Sequence, residues 1–536
     1  MNILWLDLNS SYSHSSLALP AIHAQCDNTH HWDVVRTTIN IPVGTITEEI
    51  YSHQPDLILA TAWLFTHEHL LHILARVRAL LPDCQIGLGG PEFMGNNECY
   101  LRTHGFINWV FRGEGEHQIP AWLKIYNDPE KWNSITGICY IDKNGHYIDR
   151  GNAKVMDFAS LRAPEESPFF CRDKAFVQFE TARGCFNTCS FCVSGADKPV
   201  RYLPLDIVAQ RLQGYYEMGI RSIRMLDRTF NGQSNRALQM LDLFASFAGK
   251  LTFHLEIHPA LLNQQIREKI KSMPQGLLHL EAGIQSLQQD VLTRCHRLGS
   301  LSDSLNGLEF LCSLSNIQTH ADLIAGLPGY TFPQLVDDIH HLAQLYADEI
   351  QLESLKVLPG TRMRNEAQES GIIFSPFPPY EVLRSDGMGV AAIKRSLWLS
   401  RLIDLYYNCT VWQSVFRNLM LNHSGFLLNY MDMMIQKDLL TQPLSMDRRG
   451  LLLYDYCRYH LPEMCEDVSI AWIIGGLPLG KEPAQNLKAL KELPDLKIIC
   501  GQQTPQTRYY RLGNHIFGFD RSLERQKPVL FAKVID

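Results

Sequence analysis

The sequence predicts an α/β protein with a doubly wound parallel sheet at the N-terminus, a partial (β/α)6 barrel in the centre, and a C-terminal region that is α-rich and then α/β. Three observations predict this architecture. Short apolar strands alternate with helical patterns in two successive stretches of the chain. Glycines follow the ends of several of these strands. The length of 536 residues is sufficient for about three or four domains.

The composition excludes several classes of protein. Hydrophobic residues make up 46% of the chain and charged residues 20%, so the chain buries substantial cores and is not a disordered polymer. The net charge of −7 argues against a broad nucleic-acid-binding surface. No apolar run is long enough to span a membrane, and the start lacks the basic segment of a signal peptide. We therefore expect a cytoplasmic protein whose fourteen cysteines are reduced.

The first region, residues 1–130, has the pattern of a doubly wound parallel sheet. Its predicted elements are strands at 2–7, 56–62, 85–88 and 109–111 and helices at 17–23 and 67–81. Two strands end at glycine-rich turns, Gly89-Gly90-Pro91 and Gly113-Glu114-Gly115-Glu116. Because ligands of such sheets bind at the carboxyl ends of the strands, we expect a ligand at these turns.

A connector is predicted over residues 131–170, and it contains a β-hairpin. The hairpin pairs residues 137–142 with 146–149 around an Asn-Gly turn at Asn144-Gly145. The connector leads into a second α/β region.

That second region, residues 171–375, contains six predicted strands separated by helical patterns. The strands are predicted at 176–180, 222–226, 252–257, 277–284, 319–325 and 349–357. Six βα units favour a curved, incomplete barrel with functional residues just after its strands. The last region, residues 376–536, has helical spacing over 397–434 and predicted strands at 469–474, 496–499 and 529–534.

Three cysteines lie within eight residues directly after the first strand of the second region. Cys185, Cys189 and Cys192 form a C-x3-C-x2-C pattern on a loop that starts with Gly184. Three thiolates at this spacing can hold an iron–sulfur cube and leave its fourth iron open for an external chelator. A structural zinc site requires four ligands, usually in paired C-x2-C units, and no second pair lies nearby.

The cysteine loop and the six-unit barrel together resemble the radical S-adenosylmethionine (radical SAM) superfamily over about residues 170–375. The resemblance implies a [4Fe–4S] cluster on the three cysteines and S-adenosylmethionine on the open iron. One electron from the cluster then cleaves the sulfonium and releases a 5′-deoxyadenosyl radical. The resemblance also implies that Phe191, between the last two cysteines, approaches the adenine.

Further S-adenosylmethionine contacts are implied at the ends of the later barrel strands. The family's usual glycine-glycine-glutamate pattern is absent after the second strand, where an ordinary ion pair is the alternative role for the residues at 227 and 228. A tight turn is the alternative role for the glycines after the fifth strand. The candidate residues are Asp227, Arg228, Glu281, Gln285, Ser286, Gly326 and Gly329.

The first region lacks both the G-x-G-x-x-G fingerprint of dinucleotide binding and the phosphate-binding loop of ATPases. Placed before such a barrel, this flavodoxin- or Rossmann-like region resembles the cobalamin (vitamin B12)-binding domain. No D-x-H-x2-G pattern is present, so no histidine ligand to cobalt is expected. The alternative is a degenerate domain that holds no cofactor. The candidate cobalamin contacts are Ser15, Ser16, Thr61, Gly89, Gly90, Gly113 and Glu114.

These resemblances predict a cobalamin-dependent-type radical SAM enzyme, with methylation of an unactivated carbon as the favoured reaction. A cyclase or rearrangement enzyme, similar to the anaerobic porphyrin ring cyclases, is the nearest alternative. Methylthiotransferases are disfavoured because they carry an additional three-cysteine cluster domain at the N-terminus. An iron–sulfur protein without turnover is a further alternative. The expected partners are a small-molecule substrate and a one-electron reductant of the flavodoxin or ferredoxin type. No membrane partner is expected, and the acidic net charge disfavours nucleic acid, with a small RNA-binding surface in residues 376–536 left open.

Overall fold

The structure is a computed structural model that describes residues 1–491, 500–501, 507–520 and 527–533. The chain forms two compact units. The first contains residues 1–320, 324–331 and 354–393, and the second contains the rest. Within the described ranges, no helix combines the length and the apolar character that crossing a membrane requires.

A seven-stranded sheet forms the start of the first unit, in the order β2-β1-β3-β4-β5-β6-β7. The first five strands are parallel and the last two are antiparallel. The strands are β1 (Asn2–Asn9), β2 (His31–Thr38), β3 (Leu57–Thr61), β4 (Gln85–Gly89), β5 (Trp109–Phe111), β6 (Ile138–Ile141) and β7 (Tyr147–Asp149). The helices are α1 (Ala18–His23), α2 (Val43–His53), α3 (His67–Leu80), α4 (Glu98–Thr103) and α5 (Gly115–Lys124).

The predicted strands and helices of this region are confirmed, and one strand and three helices were not predicted. The strand β2 lies at the edge of the sheet, and its mixed sequence HWDVVRTT gave no apolar run. Apolar side chains from α2 and α3 pack on one face of the sheet and those from α1 and α5 on the other. Because both faces are covered, the central strand β3 is buried at every position.

The predicted hairpin is confirmed, and it belongs to the first sheet. Its strand β6 pairs antiparallel with β5, and β7 pairs with β6. The hairpin therefore covers the edge that β5 would otherwise expose.

The second sheet of the first unit contains the parallel strands β8 (Val177–Phe179), β11 (Ser222–Met225), β12 (Thr252–Ile257) and β13 (Leu278–Gln285), in the order β8-β11-β12-β13. Between β8 and β11 along the chain lie the short strands β9 (Ala182–Arg183) and β10 (Arg201–Tyr202), which pair antiparallel with each other. The last two of the six predicted strands also form, as β14 (Gln318–Ala325) and β15 (Glu349–Ser354). The helices of this region are α6 (Leu205–Glu217), α7 (Ser234–Ala245), α8 (Gln264–Lys271), α9 (Gln289–Arg294), α10 (Leu301–Cys312) and α11 (Phe332–Gln344).

After β15 come α12 (Arg362–Glu366) and the antiparallel pair β16 (Ile373–Phe374) and β17 (Val382–Arg384). Helices then dominate, as the spacing over 397–434 predicts. They are α13 (Val390–Tyr406), α14 (Gln413–Asn422), α15 (Phe426–Gln436), α16 (Met446–His460) and α17 (Cys465–Ile474).

The C-terminal part of the second unit corrects one strand prediction. Residues 469–474 were predicted as a strand, but they form the last part of α17, because a short run of apolar residues fits a buried helix as well as a buried strand. The predicted strand at 496–499 lies outside the described residues. The antiparallel strands are β18 (Lys488–Leu490), β19 (Cys500–Gly501), β20 (Thr507–Leu512), β21 (His515–Asp520) and β22 (Leu530–Lys533), of which β22 covers most of the predicted 529–534.

Candidate active site

The cysteine loop starts directly after β9, the short strand that pairs with β10. Gly184 has a φ of +92°, and a Cβ there would collide with the carbonyl oxygen of Asp197, so the turn into the loop requires glycine. Cys185 and Cys189 are buried, while Cys192 is partly exposed. The loop therefore carries two buried thiols and one thiol that is partly accessible to solvent.

The surroundings of the three thiols fit an iron–sulfur cluster. The Arg297 guanidinium donates to the Cys189 sulfur at 3.6 Å, and the Asn187 amide donates to the Cys185 sulfur at 3.4 Å. Burial raises the pKa of Cys189, Arg297 opposes that shift, and the charges of Cys185 and Cys192 add to it. The Arg297 cation thus favours the thiolate form of Cys189, the form that binds iron, against the effect of burial.

Phe191 lies on the same loop and is half-buried. Asp227 is predicted to contact S-adenosylmethionine. In the structure, both of its carboxylate oxygens accept hydrogen bonds from the residues that precede the cysteine loop. One of its oxygens accepts hydrogen bonds from the amides of Thr181 (2.7 Å) and Ala182 (2.8 Å), and the other accepts from the Thr181 hydroxyl. The carboxylate therefore holds the end of β8 and the start of β9 in place. Arg228 is half-exposed and forms an ion pair at 3.5 Å with Glu256.

Glu281 lies on the inner, partly polar face of β13. Its carboxylate accepts hydrogen bonds from His254 at 2.7 Å and from Arg224 at 3.3 Å. Burial alone would raise the pKa of Glu281, but the His254 hydrogen bond and the positive charges of His320, His254 and Arg224 lower it to about 2. Glu281 is thus an anion on a strand of the second sheet, paired with His254 and Arg224.

Gln285 and Ser286 end the same strand. Gln285 has a φ of +73°, which is uncommon for a residue with a side chain, and Ser286 is completely buried. The chain therefore turns sharply where the prediction placed a ribose contact.

Gly326 and Gly329 form a turn after β14 and both have positive φ values. The Gly329 amide donates to the Asp386 carboxylate at 2.6 Å, and Asp386 forms an ion pair with Arg294 at 2.9 Å. A Cβ at Gly329 would lie 2.9 Å from the Arg294 guanidinium. The turn role of these glycines is thus observed.

A cavity of about 420 Å³ lies between the first sheet and the cysteine loop. Of the predicted cobalamin contacts, Ser15 and Ser16 do not line it; the Ser16 hydroxyl instead accepts a hydrogen bond from the Ala18 amide at 3.1 Å. The other predicted contacts all line the cavity, and they are Thr61, Gly89, Gly90, Gly113 and Glu114. The strand β9 and the segments that follow β8, β9 and β11 contribute further lining residues, which include Glu180, Ala182, Arg183, Gly184, Leu226 and Arg228.

The glycines of this cavity have two separate reasons to be glycine. Gly90 (φ +110°) and Gly113 (φ +86°) are required by their own turns, since a Cβ at Gly113 would overlap the carbonyl oxygen of Ala153 and one at Gly90 would lie 2.7 Å from Thr61. At Gly89 the nearest protein atom to a Cβ would be 3.8 Å away. Its glycine leaves backbone exposed beside open space, which fits close approach of a large flat ligand.

An ion-pair network joins the two sheets at the wall of the cavity. The Arg183 guanidinium lies 3.1 Å from Glu114, 2.6 Å from Glu116 and 2.9 Å from Glu180. Arg201 binds Glu114 at 2.7 Å as well. Sequence reasoning found only Glu114 here, because partners 67 to 87 residues apart leave no periodic signal. It also missed Trp63 and Phe158 in the cavity wall.

Comparison with known proteins gives two matches to family models. Residues 179–342 match the radical SAM superfamily, and residues 6–123 match the B12-binding domain. The tRNA-2-methylthio-N(6)-dimethylallyladenosine synthase of Acinetobacter baumannii is 24% identical over 294 residues, which are 52% of this chain and 58% of that protein. The cobalamin-dependent radical SAM methyltransferase TokK of Streptomyces tokunonensis is 21% identical over 332 residues, 57% of this chain and 47% of TokK. The chain thus spans about half the length of these curated relatives.

Two solved structures share the fold. The radical SAM methyltransferase TsrM of Kitasatospora setae, with tryptophan and an S-adenosylmethionine analogue bound, has a TM-score of 0.59 at 16% identity and covers 74% of this chain and 83% of TsrM. OxsB, a cobalamin-dependent S-adenosylmethionine radical enzyme, has a TM-score of 0.60 at 13% identity and covers 88% of this chain and 78% of OxsB.

The fold, the cysteine loop and these matches show a radical SAM domain, as the resemblance in the sequence predicts. A B12-binding domain lies ahead of it in the chain. The two domains imply a [4Fe–4S] cluster, S-adenosylmethionine and cobalamin as cofactors.

Proposed function

We propose that this chain is a cobalamin-dependent radical SAM enzyme that transfers a methyl group to an unactivated carbon of a small molecule. The observation that carries the proposal is the shared cavity. Its wall contains both the glycine turns of the B12-binding domain and the residues Ala182–Gly184 that lead into the cysteine loop. The names of TokK and TsrM, both methyltransferases, support the same reaction class.

When bound, the cluster and S-adenosylmethionine supply a carbon radical, and cobalamin supplies the methyl group. The residues of the chain hold these groups in place. Cys185, Cys189 and Cys192 would bind the cluster, with Arg297 beside Cys189. Gly89, Gly90 and Thr61 would lie against cobalamin. Chemistry on an aliphatic carbon depends on close orientation of both groups, which a common cavity wall provides.

We also propose that the enzyme works in the cytoplasm with a flavodoxin- or ferredoxin-type reductant. Cys185, Cys189 and Cys192 are free thiols, which suits a reducing compartment.

The test supplies methyl-labelled S-adenosylmethionine, cobalamin without a methyl group, a chemical reductant and an extract of small molecules to the reconstituted protein. Methyl transfer to carbon requires two S-adenosylmethionine molecules per product, one recovered as 5′-deoxyadenosine and the other as S-adenosylhomocysteine. We expect both co-products and label in a small molecule. 5′-Deoxyadenosine without S-adenosylhomocysteine or labelled product would instead indicate a cyclase or rearrangement reaction. Absence of both would indicate an iron–sulfur protein without turnover.

A further inference from the structure

Glu180 is a carboxylic acid that faces the cavity and has one partner. It directly follows β8, lines the cavity, and its side chain is 30% exposed. One carboxylate oxygen accepts a hydrogen bond from the Arg183 Nε at 2.9 Å. The other oxygen has no hydrogen-bond partner among the residues that the structure describes. One side of the group is thus fixed by protein and the other is available to a ligand.

The charges around Glu180 leave an excess of carboxylates. The network contains four of them and three cations, which are Glu114, Glu116, Glu180 and Asp197 against Arg183, Arg201 and Lys154. Arg183 is shared among three carboxylates, and Asp227 and Arg236 add one further charge of each sign nearby. The cations therefore do not neutralise all of the carboxylates.

A proton on Glu180 relieves this excess. Although the side chain is partly open to the cavity, the surrounding protein displaces enough water that burial raises the pKa of Glu180 to about 7. Arg183 opposes the increase, whereas the charges of Glu116 and Asp227 reinforce it. Near neutral pH, a large fraction of Glu180 is consequently a neutral acid that can donate a hydrogen bond.

We propose that Glu180 is a ligand-binding residue of this cavity that donates a hydrogen bond, as a neutral acid, to a carbonyl oxygen of the bound ligand. The matching acceptor is an amide carbonyl, the group that cobalamin carries around its ring. An anionic ligand group would be repelled by the excess carboxylates, and a cationic group would favour loss of the proton. The inference rests on the proposed use of cobalamin and deepens it.

The test measures binding of methylcobalamin, kept in the dark, by equilibrium dialysis between pH 6 and 8.5. The proteins compared are the wild type, Glu180→Gln, Glu180→Ala and the control Glu48→Gln, which changes an exposed carboxylate on α2. If the neutral acid is the binding form, wild-type affinity is constant below pH 7. It then falls about tenfold per pH unit, to roughly one thirtieth at pH 8.5. The control should follow the wild type.

The Glu180→Gln variant keeps a neutral donor and does not titrate. Its affinity should stay within about threefold of the wild-type value at pH 6 and remain constant to pH 8.5. Glu180→Ala should bind more weakly at pH 6 and be equally independent of pH. Denaturant unfolding of each variant separates loss of binding from loss of folding.

Three outcomes would overturn the inference while leaving cobalamin use intact. They are wild-type binding that does not change with pH, a Glu180→Gln variant that keeps the wild-type pH dependence, and a Glu180→Ala variant that binds as the wild type does. Failure of every protein, the control included, to retain methylcobalamin at any pH would instead refute the proposed function itself, and the inference with it.

Discussion

The cysteine loop and the cavity beside it are built in opposite ways. The three thiols come from eight consecutive residues, whereas the cavity is lined by segments spread from Trp5 to Arg228. In the loop, each thiol would be one of only three protein ligands to the proposed cluster. In the cavity wall, many residues each contribute a small part of the contact. Replacing one cysteine of the loop should therefore abolish the cluster. Replacing one residue of the cavity wall should weaken cobalamin binding only slightly, unless the change deforms the wall.

The largest effect is expected from removing a cysteine ligand. Replacing Cys185, Cys189 or Cys192 with Ala should abolish the cluster, because each thiolate is one of only three protein ligands on the loop. Iron and acid-labile sulfide measured after anaerobic reconstitution should fall to background. The control Cys457→Ala removes a buried thiol of α16 and should keep full cluster content. A complete cluster in Cys189→Ala would contradict the assignment.

The cysteine loop is local in its ligands but not in its support. Asp227→Ala would leave the amides of Thr181 and Ala182 without their acceptor, at a cost of roughly 1–3 kcal/mol for each buried group. Denaturant unfolding should show a loss on the order of 4 kcal/mol, and the cluster should be lost faster in air. Asp242→Ala, which removes an exposed partner of Lys269, should cost no more than about 1 kcal/mol. Equal losses in the two variants would show that the loop needs no long-range anchor.

The glycine turns provide a sharper test of the cavity wall. Gly113→Ala adds a methyl group that overlaps Ala153, at a positive φ, and should cost on the order of 3 kcal/mol and weaken methylcobalamin binding. Gly145→Ala is the matched control, since it has a φ of +80° but no atom within 4 Å of the added group. It should cost about 1 kcal/mol and leave binding unchanged. Similar effects on unfolding free energy would mean that only the backbone conformation matters.

The smallest effect is expected when a residue that lines the cavity is compared with one that does not, by their substitution and the change in methylcobalamin binding. Thr61→Val removes a hydroxyl that has no hydrogen-bond partner among the described residues and should weaken methylcobalamin binding about fivefold, which corresponds to ~1 kcal/mol. Ser16→Ala should leave binding unchanged and lower stability by less than about 1 kcal/mol, because its hydroxyl only accepts from Ala18. A larger binding loss for Ser16→Ala would place the ligand outside the cavity.

The sequence predicted what short-range patterns encode. The strand periodicity predicted the six strands of the second region and four of the first, and all ten form. The cysteine spacing predicted the cluster ligands, and that assignment stays a prediction. The glycines after β4 and β5 indicated one wall of the cavity. Each of these signals is contained within a few consecutive residues of the chain.

Contacts between distant segments could not be predicted. The edge strand β2 has a mixed sequence without an apolar run. The short apolar run at 469–474 fits a buried helix as well as a buried strand. The role of Asp227 depends on residues 45 and 46 positions away, and Arg183 joins carboxylates about 70 positions away. Periodicity carries no information about such pairs, because they are fixed by which strands are neighbours and by how the two sheets pack together.

The spread of the cavity wall along the chain has a consequence for biosynthesis. A ribosome releases the first sheet before the second, and domains fold as they emerge at roughly 5–20 residues per second. Before Glu180 and Arg183 emerge, Glu114 and Glu116 lack one of their partners, and the cavity is open on that side. Its last lining residue, Arg228, follows the three cysteines in the chain. The nascent protein therefore exposes its cluster ligands before it completes the pocket beside them, so cluster insertion can precede capture of the larger cofactor.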